Sequence, residues 1–237
     1  MWKTQFFRET VRTKAYCLCV CLVGILIAAN GCASKAKVDT SLITDDPCAA
    51  PCWNNIVPGI STESTVRTRL ENCPFVKAGT LNYVQTEQWG IRLNMFVWKA
   101  RGKLYNRVYL RDGRVLRIEI ALDYDLTLGD IVDKYGPPDT IYVARHPVHQ
   151  SWYSIICDYF SVGLTIDGHM RVAPEDVNNG MVLLSRNAKI TSVTYYSSSM
   201  SLQDVLGQVF LLPPDQIDRL TTTRQKWQGF GYIKFIK

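Results

Sequence analysis

The run KLYNRVYLRDGRVLRIEIAL, residues 103–122, constrains this chain more than any other stretch. Apolar and polar side chains alternate on both sides of Asp112-Gly113. A period of two marks a strand with one buried face, and Asp-Gly between two such runs signals a hairpin. A two-residue turn centred on Asp112-Gly113 would set Val108 against Arg117 and Arg107 against Ile118, mixing apolar and charged groups on both faces. A three-residue loop, Arg111-Asp112-Gly113 with Gly113 left-handed, sets Val108 against Leu116, Asn106 against Ile118 and Leu104 against Ile120. A slip of one residue turns every side chain to the opposite face, so parity selects the three-residue loop. In that register Lys103, Tyr105, Arg107, Tyr109, Arg111 and Arg117 share the outer face. Such a basic, aromatic strip suits an anionic partner, a lipid headgroup or cell-wall polymer, and the same charges also protect a strand edge.

Around this hairpin the chain alternates helix and strand signals. Ser61 or Thr62 is placed to cap a helix carrying Val66 and Leu70 inward, ended by Cys73-Pro74. Ile91, Leu93, Met95 and Val97 alternate with Arg92, Asn94, Phe96 and Trp98. DLTLGDIVDKYGPPD then reads as a second helix, with Thr127 and Asp130 forming its capping box and Gly136 and Pro137 stopping it. Strands follow near 140–145, 150–159, 161–167, 181–186 and 189–197, joined by turns such as DGH and VNNG. SMSLQDVLGQVFLLPPD then repeats the cap, the apolar face and the PPD tail of the second helix. The expected fold is α+β: two repeated helix-then-antiparallel-sheet units, 51–124 and 125–199, with a C-terminal helix and tail at 200–237.

The first residues set the compartment. Lys3, Arg8, Arg12 and Lys14 precede the apolar run Ala15–Ala29, which at fifteen residues is shorter than the ~20 that a spanning helix needs. A basic start, a short apolar middle and a small-residue end describe a signal peptide over 1–31. The step A-N-G-C-A-S resembles the lipobox of bacterial lipoproteins, in which cleavage before the cysteine lets its sulfur carry a diacylglycerol. Cys32 is then the lipidation site, 32–50 a polar tether, and the chain is exported and held on the extracytoplasmic side of a cell membrane or outer membrane. The leader's four bases and one acid account for half of the formal charge of +6, leaving +3 on the mature part. So small an excess over 206 residues does not suggest a nucleic-acid partner.

The phrase IVPGISTESTVRTRL, echoed by LTLGDIVDKYGPPD, resembles the helix-start motif of SmpA/OmlA-type small lipoproteins and the tandem modules of β-lactamase-inhibitory proteins. PCWNNIVPGIST is similar to uncharacterised bacterial lipoproteins with such modules. The resemblance covers about half of the mature chain through short motifs. It implies lipid-anchored α+β modules that bind proteins without catalysis; the basic strip adds an envelope polymer as the other expected partner, and no cofactor is expected. The first helix departs from the pattern, ending N-C-P where the motif usually has glycine.

Four cysteines follow Cys32. Cys48, Cys52 and Cys73 are disulfide candidates, with Cys52–Cys73 the expected pair, while Cys157 in SIICDYF reads as a buried thiol. His146, His149 and His169 are the only histidines. His146 and His149 in HPVH, with Asp158 or Asp167, are the residues an envelope hydrolase would use, the alternative to a binding module. Pro147 disrupts metal-ligand spacing, so no metal site is expected. Asp167-Gly168 reads as a hairpin turn.

Overall fold

A computed structural model describes residues 38–77, 79–100, 104–146, 149 and 151–236. The leader 1–31, Cys32 and Lys103 lie outside the described residues. The described chain is mostly β, not two helix-then-sheet units. Nine strands form one antiparallel sheet in the order β1-β2-β3-β4-β10-β7-β6-β5-β11. They are β1 Asn82–Gln88, β2 Ile91–Lys99, β3 Tyr105–Arg111, β4 Arg114–Ala121, β5 Thr140–Arg145, β6 Trp152–Tyr159, β7 Leu164–Arg171, β10 Lys189–Tyr195 and β11 Gln225–Lys226. A small second sheet joins β8 Val177–Asn178, β9 Met181–Leu184 and β12 Gly231–Lys234. The expectation of two units fails at β4, which pairs with β10 through Ile120 with Val193 and Ile118 with Tyr195. That ladder fuses the two stretches into one sheet with a shared core.

Among the described residues five short α-helices accompany the sheets: α1 Ser41–Thr44, α2 Glu63–Glu71, α3 Leu128–Tyr135, α4 Leu202–Asp204 and α5 Pro214–Thr223. Thr62 caps α2 and Thr127 caps α3 in a capping box with Asp130. Val66 and Leu70 of α2, and Leu128 and Ile131 of α3, are buried in one core with Phe96, Val108, Ile118, Ile155 and Ile166. Both helices therefore cover the same face of the sheet. On β2 the aromatic side of the alternation, Phe96 and Trp98, enters this core, while Leu93 is buried outside it.

The hairpin corrects the three-residue loop. Arg111 pairs with Arg114, so Asp112 and Gly113 form a two-residue turn, both with positive φ (51° and 75°). The parity conflict is removed further along. Tyr109 pairs with Arg117 and Leu110 with Val115, so Leu116 is an extra residue in a β-bulge, and Val108 pairs with Ile118. The bulge restores the apolar face that a longer loop would have supplied.

Asp167-Gly168 is likewise no turn. Both residues lie inside β7, where β10 bulges at Thr191. A Cβ on Gly168 would lie 2.5 Å from the Lys189 carbonyl oxygen, so only glycine admits this approach.

The cysteine pairing also differs. Cys48 bonds Cys52, with Cα atoms 5.7 Å apart, while Cys73 is a buried free thiol below the end of α2. Cys157 is a buried free thiol as expected, and burial pushes its ionisation upward. A five-residue loop limits the cross-link to about 2 kcal/mol. Cys52→Ser is expected to lower the unfolding free energy by about that much under oxidising conditions and by nothing under reducing ones. Equal denaturant midpoints for variant and oxidised parent would contradict this.

The tether read over 32–50 is docked from Asp39 onward. Leu42 is buried, Tyr135 donates its hydroxyl hydrogen to the Leu42 carbonyl at 2.6 Å, and Lys134 reaches the Ile43 carbonyl at 2.6 Å. Asp39 accepts from the Trp53 indole nitrogen at 2.6 Å.

Candidate functional site

The face of the sheet opposite α2 and α3 carries polar groups from four neighbouring strands, β3, β4, β10 and β7. Ladder partners place Arg107 beside Glu119, Glu119 beside Thr194, Ser192 beside Asp167, and Asp167 beside Ile156. Part of this outer face is covered by the segment from Ser201 to Arg224. It begins as expected, with a capping box between Ser201 and Asp204. After α4, however, the backbone widens into a π-turn over Val205–Val209 instead of continuing as an amphipathic α-helix. Val205 and Val209 pack with Tyr196, Phe160 and Phe210 in a second, smaller apolar cluster.

Two buried arginines fasten this strap. Arg117, 4% exposed at its side chain, bonds Glu119 at 2.9 Å, Gln88 at 3.2 Å and the Val209 carbonyl. Its guanidinium lies 3.8 Å from the Tyr109 ring centroid. Arg224 follows α5 and bonds Asp158 at 2.8 Å. Asp158 also accepts from the Thr140 hydroxyl at 2.8 Å and the Thr165 hydroxyl at 2.9 Å. At 1% exposed, Asp158 is structural and closed to any substrate.

The basic strip expected on the hairpin is therefore not an open cationic surface. Tyr105 and Arg111 are exposed, Arg107 and Tyr109 half-buried, and Arg117 buried. Arg107 and Arg117 both spend their charge on Glu119.

Beyond the strap the outer face is open. Two shallow hollows of about 430 and 460 Å³ meet at Asp167 and Thr191. Tyr105, Arg107, Glu119 and Phe210 line the first; His146, His149, Trp152 and His169 line the second. The structure thus places all three histidines in the lining of one hollow with Asp167, His169 two residues along β7 and His146 and His149 by Trp152 at the far end, while Asp158 is not part of that lining. His146 and His149 stack with ring centroids 5.2 Å apart, and Trp152 meets His169 edge-on at 4.9 Å. Among the described residues no cluster of three or more His, Cys, Asp and Glu could hold a metal ion. Sequence reading missed Ser192, Thr194 and Trp152, which register alone brings to this face. The alternation in KITSVTY was the available signal.

Asp167 is the electrostatic centre of the hollows. Desolvation, reinforced by the charges of Asp158 and Glu119, pushes its carboxyl up to about 7, while Arg224 and a hydrogen bond with Ser192 pull the other way. Burial and the charge of Lys189 push His169 down, favouring its neutral ring. A raised folded-state value means that the carboxyl costs nothing below its unfolded value of about 4 and costs progressively more as pH rises towards 7. Asp167→Asn is expected to raise stability by about 1–3 kcal/mol at pH 8, a figure reduced for partial exposure, and to leave it unchanged at pH 3.5. Denaturant melts at both pH values check this; an equal gain at both would refute the linkage.

Among the described residues no helix is long and apolar enough to cross a membrane. Comparison of the chain with protein-family models, curated proteins and solved structures returns no match.

Proposed function

We propose that this chain is a non-enzymatic binding or scaffold module of the bacterial cell envelope, anchored through lipid on Cys32, with the open half of the outer sheet face as its ligand-facing surface. One observation carries the reading. The sheet needs only one face for its core, yet the other is left half uncovered and lined with polar and aromatic groups around two joined hollows. Ligand sites favour such concave surfaces with a few convergent polar groups. The Cys48–Cys52 bond suits an oxidising compartment. The lipobox-like A-N-G-C-A-S and the resemblance to SmpA/OmlA-type lipoproteins support the anchor.

A second reading, an envelope hydrolase, draws on the histidines beside Asp167. It is the weaker one, because the hollows are shallow and wide, whereas hydrolytic sites gain from excluding water. Turnover of model esters, amides or glycosides that is lost in His146→Ala or His149→Ala would favour it.

Cys32→Ala is expected to abolish metabolic lipid labelling and to move the protein from the membrane to the soluble extracytoplasmic fraction. A variant that labels and fractionates like the parent would sink the anchor. For the ligand face, a photo-crosslinker at Tyr105 is expected to trap envelope material, and one at Ile60, away from that face, is not. Equal trapping at both positions would sink the surface assignment.

A further inference from the structure

We propose that the hollow lined by Asp167 binds a protonated amine, its ammonium group held by the Asp167 carboxylate beside Ser192, with the paired His169 and Trp152 rings lining the rest of the hollow for the remainder of the ligand. The proposal rests on the reading of the open sheet face as the ligand-facing surface and names the chemistry that surface would take.

The argument is one of matched and unmatched charge. Every other acid facing this region has a cation. Asp158 holds Arg224 at 2.8 Å, and Glu119 holds Arg117 at 2.9 Å and Arg107 at 3.4 Å. Lys189, opposite His169 on the neighbouring strand, pairs with the exposed Asp125 at 2.6 Å and makes no ion pair with Asp167. Asp167 has a hydrogen bond with Ser192 and, among the described residues, no ion-pair partner. His169, next along the same face of β7, favours its neutral form and supplies no compensating charge. When Asp167 is ionised it has no counter-charge among the described residues, and a cationic ligand is one that can supply it.

The surroundings suit an ammonium. A cation over an indole face is attracted by the ring quadrupole, and Trp152 stands half-buried in the same hollow. A carboxyl at a hollow, hydrogen-bonded to Ser192 but without an ion-pair partner among the described residues, is the pattern expected of a ligand group. An anionic ligand would meet Asp167, Glu119 and Asp158 in one region, with Arg224, Arg117 and Arg107 already committed.

Binding an ammonium favours the ionised carboxyl, so affinity should rise with pH until Asp167 is ionised. The charged and titratable groups that share this field are Glu119 of β4, Asp158 of β6, Arg224 after α5, Lys189 of β10, Arg107 of β3, His169 of β7, and His146 and His149 between β5 and β6.

The test uses the full chain purified in mild detergent and isothermal titration. The probes are cadaverine, Nα-acetyl-lysine amide and glucosamine, with N-acetylglucosamine as neutral control. Saturable binding of an amine is expected, weakened at least ~10-fold by Asp167→Asn and strengthened up to ~10-fold per pH unit between pH 5 and 7. Trp152→Ala should weaken it several-fold without changing that pH slope. Tighter binding of the lysine amide assigns the amine to a peptide side chain; tighter binding of glucosamine assigns it to an envelope sugar. The proposal is overturned if none of the three amines binds at millimolar concentration, if Asp167→Asn binds as the parent does, or if N-acetylglucosamine binds equally well. Amine failure with selective crosslinking at Tyr105 removes only the ligand class, whereas failure of both removes the surface reading as well.

Discussion

Asp158→Ala is expected to destabilise the fold by about 3–5 kcal/mol. The substitution removes a carboxylate that is 1% exposed and leaves the Arg224 charge buried without a counter-ion. It also takes the acceptor from Thr140 and Thr165, whose hydroxyls bond it at 2.8 and 2.9 Å. Arg224 already buries one guanidinium nitrogen without a partner, so the site has no spare acceptor with which to adjust. Breaking one side of a buried pair costs more than the pair itself contributes, because desolvation of the survivor is no longer offset. The double variant Asp158→Ala/Arg224→Met should therefore recover about half or more of the loss. Urea melts of the two single variants and the double variant measure this. A double variant as unstable as the sum of the singles would show that the two residues act independently.

Trp53→Ala should cost a comparable ~3–5 kcal/mol. Trp53 is 1% exposed and stacks on Trp98 with ring centroids 5.5 Å apart. Its indole hydrogen bond to Asp39 fastens the stretch before the sheet, and the same Asp39 accepts from the Ser41 backbone at 3.0 Å. Trp53→Phe keeps most of the packing and loses the hydrogen bond, so a loss of about 1–2 kcal/mol is expected there. Proteolysis should cut the alanine variant between Asp39 and Cys52 faster than the parent. An alanine variant within 1 kcal/mol of the parent would mean that this stretch is not part of the cooperative core, the measurement being two-state denaturant unfolding.

Legibility followed the range of the forces involved. Thr62 and the boxes Thr127–Asp130 and Ser201–Asp204 were readable because a cap is satisfied within three residues of itself. The Asn179-Gly180 turn, with φ of 47° and 78°, was readable for the same reason. The hairpin at Asp112-Gly113 was readable in kind but not in register, since parity cannot distinguish a longer loop from a bulge four residues on. Local propensity also could not foresee that Val205–Val209 would leave the α-helical path, with Arg117 bonded to the Val209 carbonyl.

The candidate site was less legible still. Asp167-Gly168 carries a turn signature, and only the approach of the Lys189 carbonyl on β10 explains glycine inside a strand. His146, His149 and Asp167 were named without any means of knowing which carboxylate they would meet. The sequence by itself determined the strand period, the helix starts and the alternation that sends Arg107, Glu119, Ser192 and Asp167 to one side of their strands. The tertiary structure decided that β4 would pair with β10, bringing those four residues onto one face, burying Asp158 with Arg224 and leaving Asp167 without an ion-pair partner among the described residues. Backbone ladders join residues far apart in the chain through groups that every residue carries, so the choice between ladders rests on burial summed over the whole sheet.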